Sequence, residues 1–415
     1  MNFFDELNWR GLIKDCTDVE GLKERLKTPV TCYCGIDPTA DSLHIGHLQQ
    51  VLLLRRYQQA GHRVIALCGG ATGMIGDPRP TTERSLISLE DVAHNVECIK
   101  KQLSSILDFS DDKALLLNNH DWLGNITMLH FLRDYGKYFS VSYMIAKDTI
   151  ASRLDTGISF TEFTYTILQA ADWLHLYQNY DCELQIGGSD QWGNLVSGND
   201  LIRKVCGDKA KVYGITSPLI TKSDGSKFGK SEGENIWLDP NKTSPYQFYQ
   251  FIINIADEDI INMLQKLSFK TKEEIEQLEI EVKERPHLRK AQKALAEELT
   301  LLVHGQEALD SALRITETLF KGNIKDLSPK EIKDGLKDAK TFKVEIGNNL
   351  VDEMVKTKIV SSKREARQLI SSGSISLNGD KMMDLNKVIS IEDSIDNEFI
   401  ILRKGKKNYF ILNLK

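Results

Sequence analysis

The first half of the chain alternates short apolar runs with longer segments whose apolar residues recur at helical spacing. The runs of strand length are Val30–Ile36, Val64–Cys68, Lys113–Asn118, Cys182–Ile186 and Ile215–Ile220. Helices are expected from about Ser42 to Ala60, from about Ser88 to Leu107, and onward from Ser159, which opens a capping box. This alternation predicts an α/β fold with a Rossmann-like, doubly wound parallel sheet, whose ligand lies at the carboxyl ends of the strands.

The pattern changes beyond residue 243. Residues 244–320 are helical throughout, 321–345 are rich in Lys, Asp and Gly, and 346–415 form a further small α/β segment. We therefore expect a Rossmann-type catalytic domain at 1–243, an α-helical domain at 244–320, a linker at 321–345 and a C-terminal domain at 346–415.

The composition is that of a globular protein and excludes several classes. Hydrophobic residues make up 41% and charged residues 27% of the 415 positions, and no apolar run approaches the ~18 residues of a membrane span. The acidic start lacks the basic and then apolar order of a secretion signal, so we expect a cytoplasmic protein. The seven Cys form no CxxC pair, which supports neither a zinc knuckle nor a disulfide framework, and we expect no protein-bound metal.

The sequence His44-Ile45-Gly46-His47 stands where the first long helix begins. Its two histidines share one face of the first turn, where free N–H groups and the helix dipole favour anions. We expect Asp41 or Ser42 to cap this helix, and Gly46 to let a ligand approach the backbone. The motif therefore predicts a phosphate site, and the alternative is a pair of surface histidines.

More polar residues lie at strand ends and along one helix face. The glycine-rich stretches Gly69–Asp77 and Gly187–Asn194 each follow a predicted strand, and Asp77 offers a polar anchor. Tyr165, Gln169 and Asp172 are spaced i, i+4 and i+7, so they share one face of a helix. These three residues either line a polar pocket or face water, and we favour the pocket.

Two groups of basic residues indicate contact with phosphates. The loop Thr221–Glu234 carries Lys227 and Lys230 among glycines, and a mobile cationic loop suits the neutralisation of developing charge on a phosphate. The chain has a formal net charge of −6, yet residues 356–372 hold five Lys and Arg against a single Glu, and a second basic cluster spans 403–407. In a small domain this clustering favours RNA binding over a merely solubilising surface.

Five stretches together resemble the motifs of bacterial tyrosyl-tRNA synthetases, a family of class I aminoacyl-tRNA synthetases. They are Tyr33–His47, Gly69–Asp77, Tyr165–Asp172, Gly187–Asn194 and Lys227–Ser231. In this resemblance the first includes the HIGH signature, and the last is the tyrosine form of the KMSKS signature. The resemblance implies activation of tyrosine by ATP, with Mg²⁺, to tyrosyl-adenylate and pyrophosphate, followed by transfer of tyrosine to tRNA(Tyr). It also implies a homodimer with an interface near Phe160, and a flexibly tethered C-terminal RNA-binding domain whose core motif is similar to Ser361–Gly379.

The resemblance also assigns roles to individual residues. Tyr33 and Asp172 match the pair that holds the substrate phenol, and Asp77, Tyr165 and Gln169 match the groups around its α-amino group. Contacts to the nucleotide or to the reacting carboxylate are implied for Cys34, Gly35, Asp37, Gly46, Gly188, Asp190, Gln191 and Lys230. Contacts to the leaving pyrophosphate are implied for Thr39, His44, His47, Lys227, Lys230 and Ser231. The basic clusters predict RNA binding by Lys363, Arg364, Arg367, Arg403, Lys404, Lys406 and Lys407.

The chain departs from the family pattern at two places. The segment after Asp77 is one residue shorter than the usual loop and lacks its lysine. Arg84 matches the family's arginine there, and Arg79 is a candidate substitute for the missing lysine. Gln50 stands at a helix position that varies in the family, close to the expected ribose.

Two other interpretations differ in the residues they require. A tryptophan-activating sister enzyme is disfavoured because an indole N–H offers no acceptor to Tyr33. A non-catalytic RNA-binding relative should have lost His47, Asp77, Asp172 or Lys230, and all four are present.

Overall fold

The computed structural model describes residues 1–78, 87–226, 228–231, 234–321, 324–337, 339–405 and 408–415, without the side chains of Asp148, Lys230, Ser231, Phe320 and Lys321. The helices are α1 Phe3–Trp9, α2 Val19–Arg25, α3 Ile45–Gln59, α4 Thr72–Ile75, α5 Leu89–Ile106, α6 His120–Leu123, α7 Met128–His130, α8 Val141–Ile145, α9 Asp148–Ala151, α10 Phe160–Tyr180, α11 Trp192–Cys206, α12 Pro245–Ile253, α13 Ile260–Leu267, α14 Lys272–Glu284, α15 Lys290–His304, α16 Gln306–Lys321, α17 Pro329–Gly335, α18 Leu350–Lys356 and α19 Lys363–Ser371. The strands are β1 Asp15–Cys16, β2 Thr31–Ile36, β3 Arg63–Cys68, β4 Ala114–Asn118, β5 Cys182–Gly188, β6 Tyr213–Ser217, β7 Lys230–Ser231, β8 Glu234–Asn235, β9 Lys340–Val344, β10 Ile375–Leu377, β11 Asp380–Lys381, β12 Phe399–Lys404 and β13 Asn408–Leu414.

The chain divides into two units, Met1–Thr243 with Phe251–Val303, and Ser244–Gln250 with His304–Lys415. Among the described residues of both units, no helix combines the length and the apolar character needed to cross a membrane.

A largely parallel sheet forms the centre of the first unit. Its strand order is β1-β6-β5-β2-β3-β4, in which only the short edge strand β1 runs antiparallel to its neighbour. The connections proceed outward in one direction from β2 to β4, and in the other direction from β5 to β6. The order therefore reverses between β2 and β5, which confirms the predicted doubly wound, Rossmann-like sheet.

The sequences of these strands are near-continuous apolar runs because helices cover the sheet. Helix α10 packs on β5 and helix α11 on β5 and β6, and Trp173 and Ile202 of these helices share a buried core with Ile65 and Leu67 of β3. Helices α3 and α5 lie against β3, and α3 also contacts β2. This packing fixes the start of α3 and the inner face of α10 beside the carboxyl ends of the strands.

One predicted strand ends earlier than its sequence indicated. The apolar run Ile215–Ile220 predicted a strand, whereas β6 ends at Ser217. Pro218 has no backbone N–H to continue the ladder, so the chain leaves the sheet at this residue.

The second unit contains a five-stranded sheet between two layers of helices. Its strand order is β11-β10-β12-β13-β9, with only the β13–β9 pair parallel. Ile400 and Leu402 of β12 pack with α18 and α19 on one face, and Phe399 and Ile401 pack with α16 and α17 on the other. The alternation along β12 therefore places one apolar set on each face.

The range 321–345, for which the sequence predicted a linker, includes regular structure in its described part. Helix α17 begins after Ser328, which caps it, and strand β9 pairs with β13 over Lys340–Val344. The partner of β9 lies at the far end of the chain. Local composition could not reveal this pairing.

Candidate active site

A cavity of about 290 Å³ opens at the carboxyl ends of β2 and β5, where the strand order reverses. Its walls come from the last residues of these strands, the start of α3, and one face of α10. A crevice at this reversal is where doubly wound folds bind their ligands. The cavity is therefore the candidate active site of the first unit.

Tyr33 and Asp172 line this cavity and are only 1% and 2% exposed. The Asp172 carboxylate accepts hydrogen bonds from Nδ2 of Asn119 (2.9 Å) and from Nε1 of Trp122 (2.8 Å). Burial raises the pKa of Asp172 to about 7, although these two donors act to lower it. The Tyr33 hydroxyl is buried and has no hydrogen-bond partner in the described part of the chain.

Burial, with a smaller contribution from Asp172, raises the pKa of Tyr33 well above its ordinary value, so the hydroxyl remains a donor. Leaving such a buried group unpaired costs about 1–3 kcal/mol. The two side chains together therefore suit a ligand hydroxyl that can accept from Tyr33 and donate to Asp172.

A series of hydrogen bonds connects Asp172 with the end of β2. The Tyr165 hydroxyl donates to one oxygen of Asp37 (2.9 Å), and the Thr72 hydroxyl donates to the other (2.8 Å). Asn119 donates to the Thr72 hydroxyl (2.9 Å) as well as to Asp172. Burial is the main reason that the pKa of Tyr165 is raised, so its hydroxyl keeps the proton that it donates.

Asp77 forms a second carboxylate site on the cavity wall. It accepts hydrogen bonds from the amides of Gln191 (2.7 Å) and Asn194 (3.3 Å). Burial raises the pKa of Asp77 to about 6, the carboxylates of Asp37 and Asp190 act in the same direction, and the two amides oppose them. Three carboxylates near one another favour a bound cation.

Helix α10 presents Tyr165, Gln169 and Asp172 to the cavity, on the single face that their spacing predicts. The buried Oε1 atom of Gln169 has no hydrogen-bond partner among the described residues. The helix begins as the capping-box pattern indicates, because Ser159 caps it and accepts the backbone N–H of Glu162.

The N-cap of α3 is His44, whereas the sequence predicted Asp41 or Ser42. Nδ1 of His44 accepts the backbone N–H of Gly46 (3.1 Å), and Nδ1 of His47 accepts the backbone N–H of His44 (3.3 Å). Imidazole nitrogens thus accept the hydrogen bonds that carboxylate or hydroxyl oxygens accept in most N-caps. Histidine is not a preferred N-cap residue, so the sequence did not predict this cap.

The cap also determines which nitrogen of each neutral ring carries the proton. Because Nδ1 accepts, the proton is assigned to Nε2, which becomes a donor. The rings of His44 and His47 stack with centroids 3.9 Å apart. Burial, together with His44, lowers the pKa of His47 to about 3, so this ring is neutral near pH 7. The helix start therefore presents neutral N–H donors, of the kind that phosphate oxygens accept.

The second signature motif lies beside the first turn of α3. Gly229 has a φ of +102°, and a Cβ at this position would stand 2.8 Å from Cγ2 of Ile45. The carbonyl of Gly229 accepts from the N–H of Ile236 (3.0 Å), whose own carbonyl accepts from the N–H of Ile45 (2.9 Å). Both the positive φ and the close approach require glycine here. Three predicted groups of this motif lie outside the described residues, namely Lys227 and the side chains of Lys230 and Ser231.

The residues predicted to contact nucleotide or phosphate that line the cavity are Cys34, Gly35, Asp37, Thr39, Gly46, His47, Gly188, Asp190 and Gln191, whereas His44 is not among its lining residues. Burial raises the pKa of the Cys34 thiol to about 12, so it remains protonated. A Cβ on Gly188 would stand 2.5 Å from Oδ1 of Asp190, so a larger residue here would displace the Asp190 carboxylate. Arg79 and Arg84 lie outside the described residues.

The residues predicted to bind RNA belong to the second unit. Arg364 and Arg367 are exposed on α19, and Lys363 forms an ion pair with Asp352 (2.7 Å). Lys404 donates to Glu365 (3.0 Å) and so is engaged within the unit.

Arg403 lies on β12, which pairs with β13. The guanidinium of Arg403 lies 6.0 Å from the centre of the Tyr409 ring. Lys406 and Lys407 lie outside the described residues.

Sequence reasoning missed the residues that donate to the carboxylates of Asp37, Asp77 and Asp172, namely Thr72, Asn119, Trp122 and Asn194. Asn119 directly follows β4, so its place at a strand's carboxyl end was an available signal. Trp122 gave no such signal, because its contact with Asp172 depends on how α6 turns back toward α10.

Two family models match the chain. A model described as tRNA synthetases class I (W and Y) matches residues 24–321, and one described as the tyrosine–tRNA ligase SYY-like C-terminal domain matches residues 331–412. The chain is 52% identical over 419 residues to a tyrosine–tRNA ligase of Listeria monocytogenes serotype 4a, and equally to one of Listeria welshimeri, with 100% of each chain covered. It also resembles the structure of a C-terminally truncated Aspergillus nidulans mitochondrial tyrosyl-tRNA synthetase. The TM-score is 0.68 at 32% identity, covering 77% of this chain and 94% of that one.

Proposed function

The chain belongs to the class I tRNA synthetases for tryptophan and tyrosine, and from this premise we infer how its cavity performs the reaction. It acts as a tyrosine–tRNA ligase, which activates tyrosine with ATP and then transfers it to tRNA. The observation that carries the choice of tyrosine is the buried pair of Tyr33 and Asp172.

Tyr33 and Asp172 bind the phenol of the substrate in this proposal. The Tyr33 hydroxyl donates to the phenol oxygen, and the Asp172 carboxylate accepts the phenol proton. Phenylalanine would leave the Tyr33 hydroxyl buried and unpaired and would deprive Asp172 of the hydrogen bond from the ligand, and tyrosyl-tRNA synthetases are a known example of selectivity by this penalty. Asn119 and Trp122 keep the carboxylate oriented because each donates to one of its oxygens.

We propose that Asp77 pairs with the ammonium group of tyrosine. The Tyr165 hydroxyl and the Gln169 carbonyl oxygen complete that site, and Gln191 lies between it and the reacting carboxylate. The partly buried position of Asp77 and the nearby carboxylates of Asp37 and Asp190 support a cationic ligand here.

Activation requires alignment and positive charge rather than a general base, because the carboxylate of tyrosine is already a nucleophile. It attacks the α-phosphorus of ATP in line, a phosphorus–oxygen bond forms, and pyrophosphate leaves with the electrons of the broken bond. We propose that Thr39, His44 and His47 donate to the phosphates, and that Lys227, Lys230 and Ser231 neutralise the charge that develops on the leaving group. Cys34, Gly35, Asp37, Gly46, Gly188 and Asp190 form the nucleotide wall.

Magnesium would enter as a complex with ATP, since Mg²⁺ prefers phosphate oxygens and water to an all-protein site. Among the described residues there is no group of three or more His, Cys, Asp or Glu side chains that could hold a metal ion.

We propose that residues 346–415 form the tRNA-binding domain, joined through 321–345 and the α-helical residues 244–320 to the catalytic residues 1–243. The exposed cations Arg364 and Arg367, with Lys363, Arg403, Lys404, Lys406 and Lys407, would contact the phosphate backbone. A cytoplasmic location is part of this proposal, because the tRNA substrate is found there.

A homodimer is proposed from the apolar surface of the first unit. Large apolar side chains are exposed in the segment 128–160, among them Met128 at 74%, Leu129 at 77% and Phe160 at 69%. Such a concentration marks an interaction surface, and the occupant is a second copy of the chain, since the resemblance implies an interface near Phe160.

Exchange of pyrophosphate into ATP, with tyrosine, phenylalanine and tryptophan compared side by side, tests the proposed activity. We expect exchange with tyrosine alone. Exchange with tryptophan would identify the sister enzyme, and no exchange at all would support the non-catalytic RNA-binding alternative.

A further inference from the structure

The second turn of α3 is joined to the end of β6 by a buried polar cluster. Nε2 of Gln49 donates to Oγ of Ser217 (2.9 Å) and to the carbonyl of Pro218 (2.9 Å), and Nε2 of Gln50 donates to the same Ser217 hydroxyl (2.7 Å). Gln49 is 2% exposed and Ser217 is fully buried. The amide N–H groups are thus satisfied, whereas the buried Oε1 atoms of Gln49 and Gln50 have no hydrogen-bond partner among the described residues.

The strand end held by this cluster leads directly into the cavity wall and the second signature motif. Leu219 and Ile220, which follow Pro218, line the cavity. The carbonyl of Ile220 then accepts from the N–H of Phe228 (3.2 Å), next to Gly229, which packs against the first turn of α3. We call residues 217–229 the stem of the second signature motif. The first turn of α3 contacts this stem at Gly229, and the second turn contacts it at Ser217 and Pro218.

Pro218 explains why a side chain must supply one of these contacts. The β-ladder of β6 ends at Ser217, so the carbonyl of Pro218 has no strand partner and receives the Gln49 amide instead. The helix that carries the HIGH sequence is thereby tied to the strand end from which the second motif departs.

We propose that Gln49 and Ser217 are positioning residues for the activation step, which fix the stem of the second signature motif on α3. This inference rests on the proposed function, in which that motif meets the phosphates of ATP. Gln49 and Ser217 restrict the positions that the stem can take. Their effect is therefore on kcat, as charge develops on the phosphates, and not on the binding of substrates.

The test uses two variants: Gln49→Met, which keeps the side-chain length and removes the amide donors, and Ser217→Ala. The control is Gln59→Met, at the exposed end of the same helix. In pyrophosphate exchange, Gln49→Met and Ser217→Ala are each expected to lower kcat about tenfold. The KM values for tyrosine and for ATP should stay within about twofold, and the control should match the unmodified chain.

A double variant identifies the route of the effect. The kcat of the double variant, Gln49→Met with Ser217→Ala, should fall by less than the product of the two single-variant fold losses, because both substitutions remove the same contact. The fold loss in kcat caused by Gln49→Met should also be smaller in a Lys230→Ala background, because the motif has already lost a cation there.

The alternatives give different results. A raised KM for ATP with unchanged kcat would overturn the inference in favour of a direct nucleotide contact. A parallel loss of tyrosine affinity and thermal stability would overturn it in favour of a general structural role, and unchanged kinetics in both variants would contradict it outright. If Gln49→Met does not fold, Ser217→Ala alone decides. Absence of exchange in the unmodified chain would instead contradict the proposed function.

Discussion

At the residue scale, the site relies on carboxylates that burial makes less acidic. Burial raises the pKa of Asp172 to about 7 and that of Asp77 to about 6. Each must be ionised for its proposed role, one to accept the phenol proton and the other to pair with the ammonium group. Tyrosine binding should therefore respond to pH in a range where isolated Asp side chains no longer titrate.

We predict that the Kd for tyrosine rises as pH falls from 8 to 5. Both pKa values are raised, so both groups become protonated within this range, and the protonated forms accept hydrogen bonds more weakly and carry no charge to pair with the ammonium group. Asp172→Asn should weaken binding at high pH and leave only the dependence due to Asp77, with its midpoint near pH 6. Calorimetric titration across pH measures this, and a Kd that does not vary with pH would contradict the assignment.

Spacing alone predicted that Tyr165, Gln169 and Asp172 share a face, because helical periodicity is a local property. It could not pair Asp172 with Tyr33, since these residues come from different elements, and only the family resemblance joined them. Asn119 and Trp122 stayed undetected, because the contacts that orient Asp172 depend on packing between α6 and α10.

At the element scale, the start of α3 combines a helix terminus with two stacked imidazole rings, of which that of His47 is neutral near pH 7. The rings of His44 and His47 are stacked, and their Nδ1 atoms accept backbone N–H groups at the helix end. The ring protons are therefore carried on Nε2. The cap requires Gly46, where a Cβ would stand 2.8 Å from the His44 ring. The stability of the helix end and the proposed binding of phosphate thus depend on the same three residues.

We predict that His47→Ala lowers kcat of adenylate formation about 10–100-fold, because one donor to the phosphates is lost. The KM for tyrosine should change little, since the phenol and ammonium sites do not include this residue. His287→Ala, at an exposed site, is the control. Presteady-state measurement of adenylate formation checks this, and an equal loss in both variants would rule out a specific role.

The elements themselves were largely predictable, and their ends were less so. Apolar runs located the parallel strands β2 to β6 to within a few residues, since covered strands must be apolar throughout. The N-cap of α3 and the end of β6 were missed for local reasons, an imidazole acting as a cap and a proline ending a ladder.

At the scale of the whole molecule, the two units carry different proposed tasks. The second unit joins helices α16 and α17 to the C-terminal sheet through an apolar core. Composition placed a linker where α17 and β9 lie, because pairing between distant segments leaves no local signature. The functional boundaries proposed from sequence therefore need not coincide with the structural units.

We predict that Arg364→Glu with Arg367→Glu reduces tRNA charging at least tenfold and leaves pyrophosphate exchange unchanged, because the loss is confined to phosphate contacts. The exposed Lys330→Glu is the matched control in the same unit. The charging defect of the double variant should grow smaller at low salt. Normal charging by the double variant would refute RNA binding by α19.

The proposed dimer depends on the apolar segment 128–160. We predict that Leu129→Glu gives a monomer by sedimentation, because a charge cannot be buried there without a partner. Leu89→Glu, at a side chain that is 64% exposed elsewhere on the first unit, should leave the oligomeric state unchanged. A dimer that tolerates Leu129→Glu would place the interface elsewhere.

The central claim is that the buried phenol pair selects tyrosine, and Tyr33→Phe tests it most directly. The measurement is the ratio of kcat/KM for tyrosine to that for phenylalanine in pyrophosphate exchange. We predict that Tyr33→Phe lowers this ratio about 10–100-fold, mainly through tyrosine. Tyr57→Phe, which also removes a buried hydroxyl without a described partner but lies outside the cavity lining, should leave the ratio unchanged. An unchanged ratio in Tyr33→Phe would contradict the account.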